Sequence, residues 1–254
     1  MKLTEDSPLR TSAVGVVLPV HNEEELVQRA LTSLDDAFSA LKGREIDLRI
    51  VVVLDSCRDN SVTMVKEWVR NQYREKNALL ATIVTCEASN VGIARGLGCT
   101  TLLEQFDYLD PGNIWIATTD ADSRVPDDWL RMQVLQHESG VDLWCGRVAV
   151  SDWSSRVGET AARWQREYEV ESHPIHGTNL GFNAQIYLAV GGFNSSRVSE
   201  DRELCAAIEA RGAVIHYDSS VRVVTSARRD ARAPLGFAHA LDLIEMGVGL
   251  SAGD

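Results

Sequence analysis

A mainly parallel α/β sheet with helices on both faces is the fold class this sequence predicts, on three observations. Short β-branched runs alternate with amphipathic helical patterns through the first half of the chain. The runs are continuously apolar, as strands covered on both faces are. Polar residues gather where they end: His21 and Asn22, then Asp55, then Asn90, then Asp120 and Asp122. Ligands of open α/β sheets bind beyond the carboxyl ends of the strands, so these ends predict one shared cleft.

Taken in order, Val14 to Val20 (VGVVLPV) reads as the first buried strand. A helix is expected next, capped by Asn22, with Glu25 at the capping-box position and Leu26, Ala30, Leu34, Phe38 and Leu41 on one face. Gly43 is its stop. Ile46 to Leu54 is the second strand, and Val62, Val65, Val69 and Tyr73 mark the second helix. Leu79 to Thr85 is the third strand, Ile93 to Phe106 the third helix, and Ile114 to Thr119 a fourth strand that enters Asp120. The second half is less regular. Asp142 to Val150 reads as a strand and Arg156 to Val170 as a helix. His176 to Phe182 (HGTNLGF) precedes a short helix ended by Gly191 and Gly192. Glu200 to Arg211 is a helix stopped by Gly212, and Val214–Tyr217 and Val221–Thr225 are two short strands. No repeat or linker composition interrupts the 254 residues, so they are read as one domain.

A hydrophobic fraction of 44% and a charged fraction of 24% are ordinary for a globular chain. The formal charge of -12 repels phosphate backbones and excludes nucleic acid as a partner. It leaves room for a small anionic ligand, because one metal ion reverses the local sign. Five widely spaced cysteines with no C-x-x-C pair read as buried free thiols, not as a disulfide framework or a zinc site. Met1 to Thr11 has no apolar core of the signal-peptide kind, and no apolar run approaches the ~20 residues that cross a bilayer. A soluble, cytoplasmic protein is expected, with peripheral membrane contact left open.

Asp120-Ala121-Asp122 carries the most chemistry. Alternate residues of an extended chain share a face, so the two carboxylates can converge on one Mg²⁺ or Mn²⁺. Such an ion would bridge a diphosphate and offset the charge of a departing nucleotide. A plain polar turn is the competing reading. Asp55 is placed to accept from a base N–H, or to form an Asx turn, while Asp59 and Asn60 read as turn and cap. His21 is either a base-stacking ring or a satisfied loop histidine. Asn90, with Val91, Gly92 and Arg95 after it, can bring backbone N–H groups and a guanidinium to phosphate or base. Glu200-Asp201 offers a general base, or ordinary favourable charge at a helix start. Arg228, Arg229 and Arg232 form a basic cluster for a phosphate or an acidic acceptor, or for solvent.

In that order and spacing the motifs resemble the family 2 glycosyltransferases of GT-A fold, over roughly Val14 to Arg232. VVLPVHNEE is similar to the family's opening strand and loop. LDSCRDNS is similar to its acidic second-strand motif, with Leu54 where a first Asp is frequent. NVGIARGLG resembles its N-x-G-x-x-x-A-R-N-x-G segment, with Gly96 in place of Asn. TDAD fits its D-x-D motif, and HGTNLGFNAQIYLAVGGFN with SED resembles its acceptor-side segment and base motif. The resemblance implies a nucleotide-sugar-binding half over about 12–122, an acceptor-binding half over about 123–233, and a C-terminal helix or tail over 234–254. Pro19, His21, Asn22, Glu23 and Asp55 would line the base and ribose pocket. Asp120 would contact the ribose or donor sugar and, with Asp122, the metal. Asp201 would be the general base of an inverting transfer from a nucleotide-sugar donor, UDP favoured over GDP or dTDP. His176, Asn179 and Trp164 are candidates for acceptor or sugar contact, or for packing and turn formation.

The chain also departs from the family. Where relatives carry a metal-side His after the last core strand, it has Thr225 and Ser226, with His216 nearby in sequence. It lacks a Q-x-x-R-W segment, which favours single addition over polymerisation. The acceptor, whether small metabolite, lipid carrier, glycan or protein, is not readable. Leu235 to Leu250 can pack, cover the acceptor site, touch a membrane or form a homodimer contact. Two rival functions are a non-catalytic nucleotide-sugar-binding scaffold and a sugar-phosphate nucleotidyltransferase. PVHNEEE lacks the glycine-rich basic loop that the second would need.

Overall fold

Every position of the first apolar run is buried, because strands pair with it on both sides and helices cover both its faces. A computed structural model describes residues 9–74, 79–194, 199–229 and 237–247. Seven strands, β1 (Ala13–Val20), β2 (Asp47–Asp55), β3 (Leu79–Cys86), β4 (Ile114–Thr118), β5 (Leu143–Val150), β6 (Leu180–Asn183) and β7 (Ile215–Thr225), form one sheet in the order β3-β2-β1-β4-β6-β5-β7. The pairs β1–β2, β2–β3, β1–β4 and β5–β7 are parallel, and β6 runs against both its neighbours.

The period-two alternation of β1 decides what lies on each face. Val14, Val16 and Leu18 meet α1 (Val27–Ser39), α2 (Ser61–Arg74) and, further along the face, α4 (Trp129–Glu138). Val17 and its β2 neighbours Val51 and Val53 meet α3 (Val91–Gln105), with α6 (Ala184–Ala189) and α7 (Glu200–Glu209) on the same side. A third cluster joins α5 (Thr160–Val170) to α8 (Phe237–Glu245) through Trp164, Tyr168, Leu241 and Ile244. All five cysteines are free. No helix among the described residues is long and apolar enough to cross a membrane. Arg232 and the outer parts of Leu235–Leu250 lie outside the described residues.

Several elements differ from the sequence expectation. Helix α1 starts at Val27 and has no side-chain cap. Asn22 takes a left-handed φ of 55°, and its side-chain carbonyl accepts from Arg58 N at 2.7 Å. The turn at Glu23 and Glu24 is instead tied to the loop after β2, through Ser61 Oγ and Asp59. Helix α4 carries no clean apolar period in the sequence, because polar Gln133 and His137 sit on its buried face. Gln133 accepts from Trp115 Nε1 at 2.8 Å, and His137 contacts Thr11 Oγ1 at 2.9 Å. β6 is four residues long with a glycine inside, too short for a period to register. The two strands expected at the end are one strand, β7, whose pairing shifts between Asp218 and Val223.

Helix α3 approaches the sheet through its glycines. A β-carbon at Gly98 would stand well inside contact distance of Val17 Cγ1, on a β-branched side chain with little freedom to move. One at Gly96 would meet nothing nearer than 3.7 Å. Gly98→Ala is therefore expected to destabilise by about 1–3 kcal/mol through overpacking. Gly96→Ala is expected to stabilise by up to about 1 kcal/mol through helix propensity. Urea unfolding of the two variants reads the opposite signs.

Candidate active site

A cavity of about 400 Å³ opens at the carboxyl ends of β1, β2 and β4. Pro19, His21, Glu23, Asp55, Asn90, Arg95, Asp120, Asp122 and Asp201 all line it. Asn22 does not, since its side chain is engaged by the backbone of Arg58.

The β2 end is held by Asp55. Its Oδ1 accepts from Ala88 N and Ser89 N at 2.8 Å each and from Ser56 Oγ at 2.9 Å, and its Oδ2 accepts from Asn90 N at 2.8 Å. Burial opposes the charge, but these donors outweigh it and hold the carboxyl below its ordinary range. Asn90 then caps α3, its Oδ1 accepting from Ile93 N at 3.0 Å. His21 Nδ1 donates to Asp55 O at 2.7 Å, which ties the ends of β1 and β2 together. Asn22 Nδ2 faces His21 Nε2 at 3.3 Å, so both ring nitrogens have partners and the ring is held at the cavity edge.

Arg95 is not a free cation awaiting phosphate. Its side chain is 4% exposed, pairs with Asp120 at 2.5 Å, and pairs with Glu200 at the start of α7. The guanidinium passes beneath Gly177, where a β-carbon would lie 2.5 Å from its Cζ. Burial works against its charge, and Asp120 and Glu200 overcome it, raising the Arg95 pKa. Burial also pushes Glu200 up from its ordinary range, partly offset by Arg95.

Asp122 meets a second guanidinium. Arg228, just past β7, lies 3.1 Å from Asp122 Oδ2 and donates to both Glu23 oxygens, at 2.5 and 2.6 Å. Ser123 Oγ donates to Asp122 Oδ1 at 2.9 Å. Burial raises Asp122 to about 6 against the opposing pull of Arg228, with Asp120 and Glu23 adding to the rise. Around the whole cavity stand seven carboxylates (Glu23, Asp55, Asp120, Asp122, Glu171, Glu200, Asp201) and three guanidinium groups (Arg95, Arg202, Arg228).

The opposite end of the cavity is aromatic. Trp164 stacks on Tyr168 with centroids 4.6 Å apart, and Phe237 of α8 meets it edge-on. Tyr168 OH accepts from Val148 N at 2.9 Å, so its own proton points at His176 Nε2, 2.8 Å away. His176 is thus the neutral ring protonated on Nδ1, and burial lowers it to about 4. Asp201 Oδ2 accepts from Gly177 N and Oδ1 from Arg202 N, both at 2.8 Å.

Asn179 is a core cross-link, not an acceptor contact. Its Oδ1 accepts from Trp129 and Trp144, its Nδ2 donates to Arg147 O and Val221 O, and the residue is fully buried. His216 packs on Trp144 beside Asp218 and does not line the cavity.

The Glycosyl transferase family 2 profile matches residues 15–190, more than half of the chain. The chain belongs to this family. Its fold is the GT-A fold. Solved structures agree on the fold. The mannosyltransferase PcManGT from Pyrobaculum calidifontis, in complex with GDP-Man and Mn²⁺, superposes with a TM-score of 0.61 at 19% identity, covering 96% of this chain and 64% of that one. S. aureus TarS 1-349 in complex with UDP gives 0.59 at 13% identity, covering 84% and 60%. Glucosyl-3-phosphoglycerate synthase from Mycobacterium tuberculosis, in complex with Mn²⁺, UDP and phosphoglyceric acid, gives 0.54 at 16%, covering 94% and 80%. The chain spans less than two thirds of the length of TarS 1-349 and of PcManGT. No curated relative matches it by sequence.

Sequence reasoning placed the strand-end residues on this cavity and missed Glu200 and Arg228 as partners of Arg95 and Asp122. A helix-start acid and an arginine in a basic cluster have commoner explanations, and neither partner is near in sequence. The His176 shift is directly testable. The ring titrates near 4 when folded against 6.5 in its unperturbed state. Between these values the unfolded chain binds the extra proton, so this contribution to stability falls as pH drops from 6.5 to 4 and is flat outside that window. His176→Gln is expected to remove this part of the slope, read as the wild-type-minus-variant difference in chemical unfolding across pH 4–7.

Proposed function

We propose that this glycosyltransferase moves a sugar from a nucleoside diphosphate donor, UDP-sugar first, to an acceptor hydroxyl, with inversion at the anomeric carbon. The convergence of Asp120, Asp122 and Asp201 on one cavity at the strand ends carries the reading. The nucleotides in the complexes of the structural neighbours, UDP and GDP-Man, support the donor class.

The residues fit a divalent ion. The donors are carboxylate oxygens, two of them two residues apart, in a cavity whose acids outnumber its bases. Among the described residues no set of three or more His, Cys, Asp or Glu can hold a metal. The chain thus offers one or two carboxylates and leaves the rest of the shell to the donor's phosphates and water, the usual arrangement for Mg²⁺. A diphosphate entering so acidic a cavity needs added positive charge, and a bound Mg²⁺ or Mn²⁺ at Asp122 and Asp120 would supply it at the leaving group.

The protein's own residues divide the remaining work. Asp55, buried behind its donors, holds the loop at 88–90 as one wall of the base pocket. Pro19, His21 and Glu23 form the facing wall. Arg95 fixes Asp120 for the ribose or donor sugar. Asp201, oriented by Gly177 N–H, takes the acceptor hydroxyl proton as that oxygen bonds to the anomeric carbon and the bond to the diphosphate breaks. Trp164 and Phe237 face the acceptor side.

Calorimetric titration of UDP, GDP and dTDP with Mn²⁺ and with EDTA tests the donor site. One nucleotide should bind with metal and lose most of its affinity in Asp122→Ala. If none binds to folded protein, the reading fails. Asp201→Asn should cut transfer by about 10²–10⁴-fold while sparing nucleotide binding. Near wild-type turnover in that variant would remove Asp201 as the base.

A further inference from the structure

The Arg228 guanidinium stands on Asp122 Oδ2, one of the two oxygens through which Asp122 would hold a cation. It spans Glu23 and Asp122, 3.1 Å from Asp122 Oδ2. A Mg²⁺ or Mn²⁺ on that oxygen would sit at about 2.1 Å from it, which brings two positive groups within a few ångströms of each other. The backbone that carries Arg228 is fixed. Arg156, with its side chain wholly buried, donates to Ala227 O and Arg228 O at 2.7 Å each and pairs with Asp242 of α8. Arg228 N is held by Ser226 Oγ at 3.2 Å. The side chain is 23% exposed and reaches the carboxylates across open cavity. The anchor is therefore rigid and the guanidinium is the part that can change partner.

We propose that Arg228 is a resident counter-ion that keeps a divalent cation off Asp122 until a diphosphate arrives. The inference rests on the metal site assigned to Asp122 above. Without nucleotide, a metal ion has to displace the guanidinium from Asp122 and leave it facing a second cation. With nucleotide, the phosphate oxygens accept the displaced guanidinium, which suits their geometry, and the exchange is balanced. Glu23 holds Arg228 at the cavity in both states, so the switch is a change of one partner, not a loop movement. Metal and donor then bind as one positively coupled event, and the free protein does not scavenge metal.

The test is Mn²⁺ binding to nucleotide-free protein, followed by electron paramagnetic resonance, in wild type, Arg228→Gln and Arg228→Lys. Thermal melts in EDTA establish that each variant is folded. Arg228→Gln should bind Mn²⁺ about tenfold or more tightly than wild type, within the usual range of coupling between two ligands. Arg228→Lys keeps the charge and loses the two-carboxylate bridge, so it should fall between them. Adding Asp122→Ala to Arg228→Gln should abolish the gain. Equal Mn²⁺ affinity in wild type and both Arg228 variants would overturn the proposal. A gain that survives Asp122→Ala would do the same. These measurements contain no nucleotide, so their failure is distinguishable from failure of the donor reading, which the UDP, GDP and dTDP titrations decide.

Discussion

The Arg95 guanidinium, buried between Asp120 at the end of β4 and Glu200 at the start of α7, joins segments that nothing local in the sequence would bring together. Without it two acids would face each other across a site with little water to screen them. Buried ion pairs seldom add net stability once desolvation is counted, so the effect of this one lies in geometry. It sets the orientation of Asp120, and it draws the first turn of α7 toward β4, which places Asp201 on the same cavity. Gly177 belongs to the same device. Its missing side chain makes room for the guanidinium, while its N–H is donated to Asp201.

The sheet was legible because its strands are continuous apolar runs, and a run buried on both faces has no other stable use. Strand ends followed from it, and with them His21, Asp55, Asn90, Asp120 and Asp122 as one cluster. What escaped was set by long-range partners. α4 buries Gln133 and His137, which a periodic reading assigns to solvent. Trp115 Nε1 donates to Gln133 Oε1, and Thr11 and Asn183 contact the His137 ring, while Gln133 Nε2 is buried without a partner. Asn22 carries a capping residue's chemistry and uses it on Arg58 N, because the neighbouring turn is fastened by Ser61 and Asp59. Asn179, open in the sequence to substrate contact or to packing, is a four-bond cross-link between two indoles and two carbonyls. Its sequence neighbours carry no trace of those four partners.

The two ends of the cavity are built on different principles. At the strand ends, acids outnumber guanidinium groups, and Arg95 and Arg228 are each committed to two carboxylates. At the other end, Trp164, Tyr168 and Phe237 make an apolar wall with the His176 ring beside it. Charge in a sugar transfer from a diphosphate changes most at the leaving group, so the concentration of ionised side chains there is where electrostatic stabilisation counts. An acceptor hydroxyl enters uncharged, and a wall with few charges does not hold it away from the reacting carbon by solvating it.

Asp201 stands at the junction of these two environments, and that position bears on its assignment. Asp201 stands at the N-terminus of α7 and accepts the N–H groups of Gly177 and Arg202, which fix its orientation. Glu200, one residue earlier, is buried and taken by Arg95, so it has neither the exposure nor a free direction toward the acceptor. Adjacent acids on one helix turn point to different neighbours: Glu200 meets the Arg95 guanidinium and Asp201 meets Gly177 N–H. The arrangement explains why both acids stand at the start of α7: one fixes the helix against β4 so that the other faces the aromatic end.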